Sequence, residues 1–433
     1  MSITTAFVGI AVLFVMLALR VPVALAMIAV SFGGVAAMLG IEPAIGIIAN
    51  TPFSFVANWT LSAVPMFLLM GFIAYHSGMT TGLFEAAKAV LRRIPGALPI
   101  SAIFACSGFA SVCGSSLATA ATMGRIAIPE MVRAGYAPSF AAGAIAAGGT
   151  LGALIPPSIL MIVYGVFAET SVLRVFLGGI AMGLLTALSY CIVVLITCWL
   201  RPDIAPPRPT QGEVLPMGQA LAKVWPVLAL MAMVFGGLFS GLFTTTEAGA
   251  IGAGGAILIA ALTRTLTLSV MRDALTETLL TSASLFIIGV GAAMFTRFLG
   301  LTGMSSYIAS FVSNADFGFL HLMLIVVVIY LILGMFMEPF GAMLITLPVL
   351  LPVFRAEGID LVWFGVLLVK LLEIGMITPP VGMNCFVIRG VEGKYVTTGQ
   401  IFRGVTPFIA ADLVVVALVI LFPAIVMFLP ALL

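Results

Sequence analysis

Long apolar stretches separated by short polar turns form the dominant pattern of this 433-residue chain. A transmembrane helix needs about 20 mostly apolar residues, so the pattern predicts ten crossings of a lipid bilayer. The predicted crossings span 4–19, 22–40, 60–76, 138–168, 173–200, 223–243, 247–263, 277–297, 361–390 and 404–430. The sequence therefore predicts an all-α polytopic membrane protein.

Two further apolar regions are interrupted near their midpoints by small or helix-breaking residues. Region 97–131 contains CGSS at 113–116, and region 318–354 contains MEPFG at 337–341. These interruptions favour two re-entrant hairpins, each of which enters and leaves the membrane on one side. Shorter segments of mixed polarity are predicted to lie along the membrane interface, at 43–58, 80–93 and 265–278.

Composition narrows the class of protein further. Hydrophobic residues make up 62% of the chain and charged residues 8%, whereas a soluble domain has about 25% charged residues. The net charge of +2 and the absence of a basic run indicate no nucleic-acid partner. The five cysteines form no CxxC pair or Cys/His cluster, and the hydrolase motifs HExxH and GxSxG are absent. We therefore predict a protein that is not an enzyme.

The two halves of the chain repeat the same pattern of prolines and glycines. GALIPPS at 152–158 matches GMITPPV at 375–381, at an offset of 223 residues, and the same offset relates Pro129 to Pro352. Matches spread over about 40 residues indicate a duplication. The hydrophilic stretch 201–218 separates the halves.

The predicted repeats are residues 1–210 and 211–433. The first contains hairpin 97–131 and broken span 138–168, and the second contains hairpin 318–354 and broken span 361–390. Five crossings and a hairpin per repeat place the second repeat in the opposite orientation, a common plan of secondary transporters. We expect both hairpins and both broken spans to form a mobile core, and the remaining crossings to form a scaffold.

The distribution of basic residues predicts the orientation. Fourteen lysines and arginines lie on or near the side that follows the first crossing, whereas three lie on the other side: Arg174, Arg297 and Arg355. Because positive residues accumulate on the cytoplasmic side, both termini are predicted to be periplasmic. The first hairpin then opens to the cytoplasm and the second to the exterior.

Broken helices at membrane depth must line protein or a water-filled cavity, because lipid cannot satisfy free backbone groups. Breaks are predicted at 148–158 and 375–384, beside the two hairpins. Freed carbonyls with Ser, Thr and Asn oxygens suit a small hard cation such as sodium, and half-helix N-termini suit an anion. The pattern predicts two sodium sites that flank a substrate carboxylate. The alternative is that the breaks are kinks that serve only packing.

Four stretches carry a resemblance to a known family: GSSLATAATMGRIAIPEMVRAGY (114–136), AAGGTLGALIPPSI (146–159), TTEAGAIGA (245–253) and EIGMITPPVGMNCFVI (373–388). With them the chain resembles the large membrane (M) subunit of tripartite ATP-independent periplasmic (TRAP) transporters. The resemblance implies an elevator-type fold similar to the ion transporter superfamily, in the bacterial inner membrane. It also implies sodium-driven import of organic acids such as C4-dicarboxylates or sialic acid. The implied partners are a small four-helix membrane subunit (Q-type) and a periplasmic substrate-binding protein (P-type).

The resemblance also implies ligands at positions that match the motifs. The first sodium site would use Gly114, Ser115, Ser116, Gly149, Thr150, Pro156 and Ser158. The second would use Glu338, Gly341, Gly375, Thr378, Gly382 and Asn384. The substrate would meet Ser116, Ser158, Thr378, Asn384 and Arg125. Many relatives have Asp at the position of Glu338.

Charged residues inside predicted crossings are functional by default, but a structural role is the alternative for each. Lys370 and Glu373 are three residues apart and could form an ion pair on one helical face. Asp412, alone in the last predicted crossing, is likewise either functional or structural. Arg125 could contact the substrate or extend to the cytoplasmic surface. A second hypothesis for the whole chain is a self-sufficient sodium–dicarboxylate symporter, which needs no binding protein.

Overall fold

The computed structural model of this chain describes residues 3–206, 216–314 and 318–432. All regular secondary structure in these ranges is helical. The helices of the first half are α1 (Ile3–Ala18), α2 (Val23–Leu39), α3 (Ile41–Val56), α4 (Ala63–His76), α5 (Gly82–Leu91), α6 (Ala97–Cys113), α7 (Ser116–Arg133), α8 (Pro138–Leu154), α9 (Ile159–Ala168) and α10 (Val172–Leu200). A 3-10 turn at Trp59–Ser62 leads directly into α4.

The helices of the second half are α11 (Met217–Ala222), α12 (Trp225–Phe239), α13 (Thr245–Leu262), α14 (Leu268–Thr302), α15 (Met304–Asn314), α16 (Phe319–Phe336), α17 (Pro339–Ala356), α18 (Leu361–Gly375), α19 (Met383–Glu392), α20 (Thr398–Leu421) and α21 (Ala424–Met427). A 3-10 turn at Pro430–Leu432 follows α21. The all-α polytopic prediction is confirmed.

Each predicted crossing falls on a helix or on a broken pair of helices. Within the described residues, seven helices are long and apolar enough to cross a membrane, and the bent pair α8–α9 makes an eighth candidate span. Crossings 4–19, 22–40 and 223–243 fall on the shorter apolar helices α1, α2 and α12, of 16, 17 and 15 residues. The helices α16 and α17, which form the predicted hairpin 318–354, are each among the seven long ones.

Two boundary predictions were wrong. The interfacial segment 265–278 and crossing 277–297 form one continuous helix, α14, of 35 residues. The polar residues at its start resembled an interfacial segment, but no helix breaker separates them from the apolar part. Crossing 404–430 begins earlier, where a capping box between Thr397 and Gln400 starts α20, and the helix ends at Leu421.

The helix bounds repeat with the offset seen in the sequence. Helix α17 begins 223 residues after α7, and both helices have 18 residues. Helix α18 begins 223 residues after α8. The predicted boundary between residues 210 and 211 lies in 207–215, outside the described residues, as does half of the hydrophilic stretch 201–218.

The helices pack in two groups. The scaffold group consists of α1–α4 and α12–α14, with α14 packed on α2 and α4 and with α13 packed on α4. The core group consists of α6–α10 and α16–α20, with α8 packed on α6, α7 and α20. The core group, so defined, contains both hairpins and both broken spans together with α10 and α20. Its hairpin helices also contact the scaffold side, because α6 packs on α4 and α17 packs on α14 and α15. Movement of a core against a scaffold stays a prediction.

A buried polar network connects four helices of the core group. Lys370 on α18 forms an ion pair with Asp412 on α20. The Tyr190 hydroxyl on α10 donates to Asp412 at 2.8 Å and lies 3.1 Å from Thr150 Oγ1 on α8. All four side chains are fully buried. The ion pair that the spacing of Lys370 and Glu373 suggested is not formed, because α20 supplies a nearer carboxylate.

Candidate functional site

The tip of the first hairpin is held against the first broken span. Helix α6 ends at Cys113, Gly114 adopts φ +62°, and Ser115 accepts a hydrogen bond from the backbone N–H of Ala118 at 3.5 Å to begin α7. A Cβ at position 114 would lie 2.4 Å from the Pro157 carbonyl oxygen. Glycine is therefore required both for the left-handed turn and for this close contact.

The first break is shorter than the sequence predicted. Gly148, Gly149 and Thr150 lie inside the continuous helix α8, because glycine and threonine are tolerated where neighbouring helices pack closely. The chain is non-helical only at 155–158, where the Pro156–Pro157 pair removes two donors. Ser158 accepts from the Met161 N–H at 3.4 Å and begins α9, which is bent by 42° from α8.

The second hairpin and break have the same plan. Glu338 accepts from the Gly341 N–H at 3.2 Å and begins α17. It lies 223 residues after Ser115, so the two residues are equivalent N-caps of the two hairpins. The second break covers 376–382, and Gly375 at its edge contacts Gly334 of the hairpin, since a Cβ there would lie 2.4 Å from the Gly334 Cα.

Both hairpin tips line one cavity of about 570 Å³. Its core-side lining includes Gly114, Ser115, Ser116, Glu338, Pro339, Phe340, Glu373 and Met376. Helices α2, α4 and α14 supply the opposite wall, so the cavity lies between the core group and the scaffold group. A cavity between two packed groups is a common location for a small-molecule site.

The charges around the cavity are arranged asymmetrically. The first residues of α7, α9 and α17 all line it, and each helix N-terminus has a partial positive charge from free backbone N–H groups. Two carboxylates, Glu338 and Glu373, also line it. Among the described lining residues there is no lysine, arginine or histidine. A bound anion would therefore meet helix N-termini, and a bound cation would meet carboxylate and hydroxyl oxygens.

Glu373 also lines this cavity, and the sequence left open whether its role is functional or structural. Its side chain is 1% exposed, and its Oε2 accepts a hydrogen bond from Ser116 Oγ at 2.6 Å. This bond joins α7 of the first repeat to α18 of the second. The spacing along the sequence suggested Lys370 as the partner of Glu373. Ser116 and Glu373 are 257 residues apart, so no local sequence signal indicates their contact.

Asn384 lies with the first repeat rather than beside the second hairpin. Its Nδ2 donates to the Ala146 carbonyl at 3.4 Å, and a Cβ on Gly149 would lie 3.3 Å from that nitrogen. Its Oδ1 is buried and has no hydrogen-bond partner within the described ranges. An orphaned buried oxygen calls for an explanation such as a bound ion.

The other predicted ligands do not line this cavity. Arg125 is exposed on α7 and does not line the cavity. Thr150 belongs to the buried network, and Thr378 Oγ1 donates to the Ile374 carbonyl at 2.6 Å. The remaining residues outside the cavity lining are Gly149, Pro156, Ser158, Gly341, Gly375 and Gly382.

These oxygens fit a hard cation better than a transition metal. Serine hydroxyls, carboxylates, amide oxygens and backbone carbonyls are the ligands that such cations prefer. In the parts of the chain that the structure describes, no group of three or more His, Cys, Asp or Glu side chains is placed to bind a metal. Among the described residues, the Glu373 carboxylate and the orphaned Asn384 oxygen are oxygens of the type that bind such a cation.

Gly152→Ala tests the contact between the first hairpin and its break. A Cβ at position 152 would lie 2.6 Å from the Ser115 carbonyl oxygen and 2.8 Å from the Ser116 Cα. The added methyl should displace the hairpin tip and lower the free energy of unfolding by about 1–3 kcal/mol, the usual cost of overpacking. Thermal unfolding should be measured beside that of Gly254→Ala, where the space around the new Cβ is open. Equal stability of both variants would contradict this contact.

Comparison with known proteins gives a consistent family. Residues 10–425 match the family "Tripartite ATP-independent periplasmic transporter, DctM component". The chain is 38% identical to the C4-dicarboxylate TRAP transporter large permease protein DctM of Pseudomonas aeruginosa, over 86% of each chain. It is 33% identical to the isethionate TRAP transporter permease protein DctMQ of Oleidesulfovibrio alaskensis, over 88% of this chain and 60% of that one.

A solved structure shows a similar fold. The YdaH transporter of Alcanivorax borkumensis superposes with a TM-score of 0.62 over 88% of each chain, at 16% sequence identity. At that identity the likeness concerns the fold alone. The family match covers nearly the whole chain, and the two permeases are similar over most of its length. This chain therefore belongs to the DctM component family of the tripartite ATP-independent periplasmic transporters.

Proposed function

We propose that this chain is the membrane component of a sodium-coupled importer of small organic anions, and that its core group moves against its scaffold group as an elevator. The observation that carries the proposal is a cavity between the two groups that is lined by both hairpin tips. A site at the boundary of a moving body can be exposed to each side in turn. The two hairpins, on opposite sides of the membrane in the predicted orientation, supply the two routes of access.

The charges of the cavity support an anionic cargo that travels with cations. Three helix N-termini face the cavity and favour a negative group. The two carboxylates in the same cavity would repel an organic acid unless cations neutralise them. Two relatives are named for the transport of C4-dicarboxylates and of isethionate, and both of these cargoes are small organic anions. We propose a carboxylate or related acid as the cargo.

The partners are proposed from the family and from the longer relative. The family name describes one component of a three-part system, and this chain matches 60% of the DctMQ permease. We propose a small four-helix membrane subunit (Q-type) as one partner and a periplasmic substrate-binding protein (P-type) as the other. The chain is proposed to lie in the bacterial inner membrane, with both termini periplasmic.

Uptake into proteoliposomes tests the proposed function. The chain, reconstituted with a cognate small subunit and binding protein, should accumulate a radiolabelled organic acid when an inward sodium gradient is applied. A choline gradient of equal ionic strength is the control and should give no accumulation. Accumulation that does not depend on sodium would contradict sodium coupling. Sodium-driven uptake by the chain alone, without a binding protein, would instead favour the self-sufficient symporter.

A further inference from the structure

We propose that the Glu373 carboxylate is a direct ligand of a monovalent cation, shared with the Ser116 hydroxyl at the tip of the first hairpin. This inference rests on the proposed function and specifies a ligand for its first cation site. Glu373 is not among the ligands that the sequence motifs predicted. It belongs to the second repeat, so the site would be built from both halves of the chain.

The charge of the buried cluster is the first reason. Lys370 and Asp412 neutralise each other in their ion pair. Glu373 has no lysine, arginine or histidine nitrogen within 4 Å in the described parts of the chain. The cluster of three side chains therefore has a net charge of −1 when all are ionised. An isolated charge inside a membrane protein is costly unless it is paired, and one monovalent cation would balance it.

The position of Glu373 on its helix is the second reason to expect a cation beside its carboxylate. It lies two residues before the end of α18 at Gly375. The C-terminal end of a helix has a partial negative charge, which disfavours a carboxylate. Glu338, the other carboxylate of the cavity, lies at the N-terminus of α17 and accepts from the Gly341 N–H. The helix therefore stabilises Glu338 but not Glu373.

The geometry leaves an oxygen available for a cation. Oε2 of Glu373 accepts the Ser116 hydroxyl, whereas Oε1 has no hydrogen-bond partner in the described ranges. The side chain is 1% exposed, yet it lines the cavity. A serine hydroxyl has two acceptor lone pairs as well as one donor. When a cation enters between the two groups, Ser116 can turn its proton away and offer an oxygen lone pair.

The test is sodium-dependent thermal stabilisation of the purified protein in lipid nanodiscs. The apparent Tm is measured in NaCl mixed with choline chloride at constant ionic strength. Glu373→Gln keeps the size of the side chain and removes its charge. We expect sodium to raise the Tm of the wild type, and Glu373→Gln to raise the half-saturating sodium concentration at least tenfold. Glu357→Gln, which removes an exposed carboxylate, should behave as the wild type.

A second variant separates failure of this inference from failure of the proposed function. An unchanged sodium midpoint in Glu373→Gln together with a raised midpoint in Ser116→Ala would overturn the role of Glu373 but retain a sodium site at the hairpin. Absence of any sodium effect in the wild type would count against both.

Chemical labelling of the wild type tests the same proposal without substitutions, which could prevent the protein from folding. A hydrophobic carbodiimide modifies buried carboxyl groups, and mass spectrometry of the peptide that contains Glu373 reports the extent of modification. We expect NaCl to protect Glu373 and choline chloride to give no protection. Labelling that is the same in both salts would overturn the proposal.

Discussion

Replacing Asp412 by leucine is expected to lower the free energy of unfolding by about 3–5 kcal/mol, the usual cost of breaking a buried ion pair from one side. The substitution leaves the Lys370 ammonium fully buried without its carboxylate. It also removes the acceptor of the Tyr190 hydroxyl. The loss should appear as a lower apparent Tm in detergent and as earlier unfolding in sodium dodecyl sulfate.

Lys370→Met should have an effect of similar size, because it leaves the Asp412 carboxylate with only the Tyr190 hydroxyl. The double variant Lys370→Met/Asp412→Leu should cost much less than the sum of the single changes, since it leaves no buried charge. The control is Glu169→Gln, which breaks an exposed ion pair. In that pair, Glu169 Oε2 lies 3.3 Å from a guanidinium nitrogen of Arg355. A surface pair contributes about 0–1 kcal/mol. Additive costs in the double variant would show that Lys370 and Asp412 do not stabilise each other.

Gly404→Ala is the second substitution with a large expected effect, because it inserts a methyl group where α20 and α8 are in backbone contact. A Cβ at position 404 would lie 1.8 Å from the Ser139 carbonyl oxygen, and one at Gly143 would lie 2.2 Å from the Gly404 carbonyl carbon. Backbone atoms cannot move aside as a flexible side chain can. We expect a loss of about 3 kcal/mol or more in unfolding free energy, at the upper end of overpacking effects.

The matched control for this substitution lies on the same helix. Gly399 has open space around its missing Cβ, so Gly399→Ala should leave the unfolding free energy unchanged or raise it by less than about 1 kcal/mol. Both variants add one methyl group to α20, and only the contact with α8 differs. Equal stability of the two variants would show that α8 and α20 do not approach as closely as described.

Local sequence signals located the turn between α6 and α7, the turn between α16 and α17, and the two proline breaks, although the first break is shorter than predicted. Gly114 and Ser115 mark the first turn, Glu338 and Pro339 mark the second, and the Pro156–Pro157 pair marks a break. Turn and cap preferences act over a few residues, so they can be read from the sequence directly. Local signals gave a wrong boundary at α14. Polar residues near 272–277 predicted a separate interfacial segment, but they lie within one long helix.

Partners far apart in the chain could not be predicted in this way. The spacing of Lys370 and Glu373 allowed an ion pair on one helical face, but Lys370 pairs with Asp412 and Glu373 accepts from Ser116. Asn384 was predicted to contribute to the second sodium site, and its side chain contacts Ala146 of the first repeat. Each of these contacts depends on which helices become neighbours.

The sequence by itself determined that this chain spans a membrane, that its two halves repeat, and that its helices break at the paired prolines, because apolar length and proline act locally and the repeat is read by direct comparison. Only the tertiary structure decided that both hairpin tips share one cavity and that a glutamate from one repeat meets a serine from the other. Helices of similar apolar composition can pack in many arrangements, so composition does not select their neighbours. Close glycine contacts and a few buried polar partners make that selection in three dimensions.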